Sequence, residues 1–147
     1  MLHEEITTQV PASIFRNYDI RGIAYSELSQ SCVYAIGRVL GSLAKESGEK
    51  SMTVGRDGRL SGPLLSEALI NGILASGCDV MNVGVVPTPL LYYTTFIMNT
   101  SSGVMLTGSH NPAEYNGLKM VLGGETLAED KIQTIYQRVC DKDYATG

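Results

Sequence analysis

A hydroxyl, an imidazole and an ammonium group fall close together in the run Thr107-Gly108-Ser109-His110-Asn111-Pro112 and in Lys119 just beyond it. A serine hydroxyl is a poor nucleophile at neutral pH, so an adjacent imidazole and a nearby ammonium are the natural groups to activate it. Gly108 tolerates positive φ and close backbone approach to a ligand, and the residue before Pro112 is biased toward an extended or turn conformation. These features predict Ser109 and His110 at the tip of a sharp turn. The pattern is not a nucleophile elbow, which needs glycine two positions either side of the serine, where this chain has Thr107 and Asn111.

The serine needs a rigid support. Gly103-Val104-Met105-Leu106 is a short, continuously apolar run of the kind buried on both faces of a sheet, and it ends just before the loop. Ser13 to Gly22 reads as a strand and turn carrying side chains into a site. Val33, Ile36, Leu40 and Leu43 recur at helical spacing, which predicts an amphipathic helix from about Glu27 to Ser47 with Gly48 as its stop. Met52 to Val54 is a brief strand, and Gly55 to Gly62 a glycine-rich charged loop. Ser61 and Pro63 are placed to cap and start a second helix with Leu65, Ala68, Leu69 and Ile73 on its apolar face and Gly77 beyond it.

Asp79 to Gly84 follows as a strand, and Thr88-Pro89 opens a helix to about Met98. Leu118 to Leu122 comes too soon after the serine loop for a helical crossover, so it should run antiparallel to a neighbour. Thr126 and Glu129 have capping-box spacing before a last helix with Ile132, Ile135, Tyr136 and Val139 on one face. The alternation predicts an α/β fold, a three-layer α/β/α sandwich with a mixed, mainly parallel sheet of about four strands. Residues 1–10 read as a flexible leader and 11–147 as a single domain, and His3 in the leader carries no functional weight.

At 147 residues and 44% hydrophobic, the chain can bury a core without disulfides or metal. A formal net charge of −4 with no run of lysine or arginine argues against nucleic acid as a partner. No apolar stretch reaches the length of a membrane span and the first ten residues do not resemble a secretion signal, so a cytoplasmic protein without a membrane partner is expected. Cys32, Cys78 and Cys140 are widely spaced and odd in number, which suits reduced core thiols better than disulfides or zinc. The glycines of Gly55-x-x-Gly58-x-x-x-Gly62 match neither a dinucleotide fingerprint nor a P-loop, which disfavours a nucleotide.

Four further stretches accompany the serine loop: Phe15-Arg16-Asn17-Tyr18-Asp19-Ile20-Arg21-Gly22, Val54-Gly55-Arg56-Asp57-Gly58-Arg59-Leu60-Ser61-Gly62, Val86-Pro87-Thr88-Pro89 and Asn116-Gly117-Leu118-Lys119. In that order, and with the serine run, they resemble the α-D-phosphohexomutases, most closely the phosphomannomutase/phosphoglucomutase branch. The resemblance runs from about Pro11 to about Val139. Members of that family are longer multidomain proteins, and this stretch is similar to their first domain alone.

The resemblance implies that Ser109 carries a transferable phosphoryl group in an isomerase that interconverts hexose 1-phosphate and hexose 6-phosphate, with hexose 1,6-bisphosphate as intermediate and activator. It implies Arg21 beside the phosphoserine with Tyr18 nearby, Lys119 placed to help move the hydroxyl proton, and His110 against the phosphoryl group. Tyr18, Arg21 and Lys119 are then the phosphate-binding set. It also implies Mg²⁺, held by Ser109 through its phosphate and by an aspartate loop of a second domain, to which Asp141-Lys142-Asp143 is only a partial likeness. The implied partners are hexose phosphates and the remaining domains of the parent chain. A phosphoglucosamine mutase domain, or a non-catalytic domain of this fold that binds phosphosugar or protein, is the alternative. Arg56, Asp57 and Arg59 could face the phosphate, but a charged turn of this kind more often ties loops together by ion pairs.

Overall fold

Six strands and three α-helices are present in the computed structural model, which describes residues 10–86, 102–108 and 111–147. A 3-10 turn at Ala12–Ile14 leads into β1 (Ile20–Ile23). Then come α1 (Gln30–Glu46), β2 (Ser51–Arg56), α2 (Gly62–Ala75) and β3 (Asp79–Val85). After the undescribed segment follow β4 (Gly103–Leu106), β5 (Tyr115–Leu122), β6 (Glu125–Thr126) and α3 (Asp130–Cys140).

The strand order is β1-β5-β4-β2-β3, with β6 paired to β5 beyond β1. β2 is parallel to both β3 and β4, whereas β5 is antiparallel to β1, β4 and β6. All strands but β5 therefore point the same way, and the sheet is mixed as expected. It holds six strands rather than about four. Five of the six overlap stretches that read as strands in the sequence, and the sixth, β6, has only two residues and is too short to show a period.

Alternation along β1, β4 and β5 sorts the sheet into two chemistries. Ile20, Val104, Leu106, Leu118 and Met120 join Met52 and Val54 of β2 in one core cluster with the apolar faces of α1, α2 and α3. Arg21, Met105 and Lys119, one step out of phase with those residues, belong to the opposite face. Four fully buried positions in a row in β4 fit its continuous apolar sequence. The helix expected over 88–98 and most of the expected leader lie outside the described residues; Val10 is buried.

Helix ends follow local chemistry with two corrections. Ser29 caps α1 by accepting a hydrogen bond from the Cys32 amide at 3.1 Å, and Gly48 (φ 85°) and Gly77 (φ 93°) end α1 and α2 in the left-handed region. Ser61 sits at the start of α2, but its hydroxyl accepts from the buried Asn116 Nδ2 at 2.8 Å instead of capping. The expected capping box at Thr126 and Glu129 does not form. Thr126 pairs with Val121 and the Leu127 amide donates to the Met120 carbonyl at 2.9 Å, so the chain stays on the sheet and α3 begins only at Asp130.

The cysteines divide as well. Cys32 and Cys78 are buried free thiols, and Cys140 is an exposed one, because it falls on the outward side of the last turn of α3. Burial pushes the Cys32 thiol up to about 12, and burial with the charges of Asp79 and Glu49 pushes Cys78 up to about 11.

Two glycines let α1 and α2 touch backbone to backbone. A methyl group on Gly72 would lie 2.2 Å from the Tyr34 carbonyl oxygen, and one on Gly37 would lie 2.5 Å from that of Leu69. Alanine in place of a helical glycine gains about 1 kcal/mol of helix propensity. Forced overpacking costs about 1–3 kcal/mol, and here both helices must part to relieve it. Gly72→Ala is therefore expected to lower the thermal midpoint of this chain by several degrees in a melting experiment. An unchanged or raised midpoint would show that the helices are not in backbone contact.

Candidate active site

The register of β1 on β5 brings together two cations far apart in sequence. Arg21 lies opposite Gly117 and Ile20 opposite Leu118, so Arg21 and Lys119 project from neighbouring positions on the face away from the core cluster. They line a cleft of about 550 Å³ together with Arg16, Tyr18 and Asp19. Three cations against one carboxylate make this cleft suited to an anion. Tyr18, 68% exposed, stands at its rim.

Gly117 is required for this pairing, since a Cβ there would lie 2.4 Å from the Ile20 carbonyl oxygen. Beside it, the Thr107 amide donates to the Gly117 carbonyl at 2.9 Å, so the strand carrying Lys119 also holds the exit of β4.

Arg21 ties the cleft to the serine loop. Its Nη1 donates to Asn111 Oδ1 at 3.2 Å, its Nη2 forms an ion pair with Asp19, and its Nε is buried with no partner among the described residues. Ser109 and His110 themselves lie outside the described residues. Their described neighbours Gly108 and Asn111 are joined by a bond from the Asn111 amide to the Gly108 carbonyl at 3.0 Å. Of the sequence-expected set, the structure thus brings Tyr18, Arg21 and Lys119 into one cleft and links Arg21 to Asn111, two residues past Ser109.

The charged turn after β2 meets the same loop from the other side. Asp57 Oδ2 accepts from the Thr107 hydroxyl at 2.7 Å and the Gly108 amide at 3.2 Å, while Arg59 donates to the carbonyls of Asn111, Pro112 and Tyr115. The turn does tie the loops together, but through hydrogen bonds to backbone groups and the Thr107 hydroxyl; its ion pair joins Asp57 to Arg59 within the turn itself. Arg16 and Asp19 are cleft residues that the sequence reading left without a role. Their only signal was membership in the stretch that ends at Arg21.

Among the described residues, no group of three His, Cys, Asp or Glu side chains gathers to hold a metal ion. The carboxylates of Asp141 and Asp143 are engaged locally, with Gln137 Nε2 at 3.1 Å and Arg138 Nε at 3.4 Å respectively. The described residues therefore do not by themselves fit Mg²⁺, which demands a nearly complete octahedron of oxygen ligands. No helix among the described residues is long and apolar enough to cross a membrane.

Comparison with known proteins agrees with this geometry. Residues 12–146 match the family model described as phosphoglucomutase/phosphomannomutase, alpha/beta/alpha domain I. A phosphomannomutase/phosphoglucomutase of Pseudomonas aeruginosa is 53% identical over 138 residues, covering 94% of this chain and 30% of that protein. A phosphoglucomutase of Neisseria gonorrhoeae is 48% identical over 134 residues, covering 91% of this chain and 29% of that one. Among solved structures, a phosphoglucomutase/phosphomannomutase family protein from Burkholderia thailandensis superposes with a TM-score of 0.90 at 42% identity, covering 95% of this chain and 32% of its own. The chain thus spans about 30% of the length of the curated relatives it matches. With its mixed sheet, its helices and its cationic cleft, it belongs to the phosphoglucomutase/phosphomannomutase family as domain I.

Proposed function

We propose that this chain is the phosphoserine-bearing domain of a hexose phosphate mutase acting on the phosphates of glucose or mannose, an isomerase when joined to the rest of its polypeptide. The observation that carries the reading is the bond from Arg21 to Asn111, which couples the anion-suited cleft to the loop that contains Ser109. The names of the relatives support the substrate class, and they favour neither a phosphoglucosamine mutase nor a non-catalytic binding domain.

In the first half-reaction, a hexose monophosphate hydroxyl attacks the phosphorus on Ser109. The bond from phosphorus to Ser109 Oγ breaks, a bond to the sugar oxygen forms, and hexose 1,6-bisphosphate results. After the bisphosphate reorients, Ser109 Oγ attacks its other phosphorus and releases the isomeric monophosphate. The proton lost by each attacking hydroxyl is regained by the departing oxygen, a transfer in which Lys119 assists from the cleft and His110 from the loop. Arg21 presents a planar fork to phosphoryl oxygens, and Tyr18 flanks the incoming sugar phosphate. Charge dispersal and positioning supply most of the rate in phosphoryl transfer, so a cationic cleft beside a held loop is the form such a site requires. Magnesium would add further charge dispersal when bound, with ligands from outside the described residues.

The complete mutase, this domain joined to its remaining polypeptide, is expected to interconvert glucose or mannose 1- and 6-phosphates in a coupled assay. The 147-residue chain alone should show little or no turnover. Failure of the complete protein to turn over either sugar phosphate would overturn the reading, and full activity of the chain alone would overturn its dependence on other domains.

A further inference from the structure

We infer that Asp57 and Arg59 form a positioning clamp that sets the location of the Ser109 nucleophile, an inference that rests on the mutase reading above. The two residues grip the loop on both sides of positions 109 and 110. On the near side, the Asp57 amide donates to the Leu106 carbonyl at 3.0 Å, and Asp57 Oδ2 accepts from the Thr107 hydroxyl at 2.7 Å and the Gly108 amide at 3.2 Å. On the far side, Arg59 Nη2 donates to the Asn111 carbonyl at 2.9 Å, and Nη1 donates to those of Pro112 at 2.6 Å and Tyr115 at 3.2 Å.

The clamp is itself rigid. Asp57 folds back onto its own turn, accepting from the Arg59 amide at 3.1 Å through Oδ1 and from Arg59 Nε at 3.2 Å through Oδ2. The ion pair balances the guanidinium charge, and a planar fork can serve three backbone carbonyls where an ammonium could not span them. The turn is anchored in turn by β2, which lies beside β4 in the sheet.

Gly108 completes the fit. A methyl group there would lie 2.2 Å from Arg59 Cζ and 2.3 Å from its Nε, so the guanidinium occupies the space where any other residue would place its side chain. A glycine before the serine is thus demanded by the clamp and not by the turn, since Gly108 lies outside the left-handed region that the sequence suggests. Misplacing a reacting group by about 1 Å costs on the order of 100-fold in rate. Releasing the clamp should act mainly on the transfer step and leave sugar phosphate binding nearly intact, because neither Asp57 nor Arg59 lines the cleft.

The test is kinetic, in the complete mutase. Arg59→Ala is expected to lower kcat about 100-fold with KM for the hexose phosphate within about threefold of wild type, and added guanidinium should restore part of the loss. Gly108→Ala should slow the enzyme similarly, but should add little in an Arg59→Ala background, because the clash it creates is then gone. Should Arg59→Ala fail to fold, Arg59→Lys is compared instead under the same cycle. Wild-type kcat in the folded variant, or fully additive effects of the two substitutions, would overturn the clamp. A wild-type mutase without turnover and without phosphate on Ser109 would instead overturn the reading on which it rests.

Discussion

Ser109→Ala in the complete mutase is expected to reduce turnover on the order of 10⁴-fold or more, while hexose phosphate still binds. Phosphate monoesters are among the slowest substrates to cleave unaided, so an enzyme without its phosphoryl carrier has no comparable alternative path. Loss of a nucleophile removes the covalent step outright, and what remains is the contribution of binding and charge. The cleft residues Arg21, Lys119 and Tyr18 are untouched by the change. Calorimetric titration with hexose 6-phosphate beside a coupled assay would separate the two quantities. Turnover within tenfold of wild type would show that another group carries the phosphate.

Arg21→Ala is expected to cost about 10³-fold in kcat, more than loss of a single hydrogen bond, because the side chain acts at both ends. Toward the cleft, on the proposed mechanism, it would offer its fork to phosphoryl oxygens, and oxyanion-stabilising donors of this kind are worth about 10²–10³ in rate. Toward the loop it holds Asn111, and its removal also leaves Asp19 without its ion-pair partner beside an anionic ligand. Both effects raise the barrier. Arg21→Lys should recover little, since an ammonium on a flexible stem cannot bridge Asn111, Asp19 and a phosphoryl group at once. Steady-state kinetics of the two variants decide the point, and Arg21→Lys at wild-type kcat would show that charge alone suffices.

Much of the frame was legible in the chain. The spacing of Val33, Ile36 and Leu40 announced α1, all three being fully buried, and the unbroken apolar run at Gly103–Leu106 announced a central strand. The short connection from the serine loop to Leu118 required an antiparallel β5, which pairs on both flanks. Failures came where tertiary contacts outbid local signals. Thr126 has the chemistry of a cap, yet β-pairing to Val121 takes it, and Ser61 has a cap's position but bonds Asn116, 55 residues on. Cys140 lies on the outward side of its helix, which its residue type alone could not reveal.

The site was legible only in pieces. Arg21 and Lys119 come together through the pairing of β1 with β5, which no local spacing encodes, so the family resemblance supplied what periodicity could not. Asp57 and Arg59 were visible as a charged turn, but the loop groups their side chains bond lie 50 to 56 residues away and are met because β2 and β4 are sheet neighbours. The Asp-Gly-Arg turn at the end of an apolar strand was the available sign.

The most direct test of the account is to locate the phosphoryl group itself. The complete mutase, treated with hexose 1,6-bisphosphate and freed of ligand, should carry one phosphoryl group by intact mass, mapped to Ser109 by peptide sequencing. The group should leave when hexose monophosphate is added. A protein that turns over substrate while Ser109 stays unmodified throughout, or that carries its phosphate on another residue, would contradict the account.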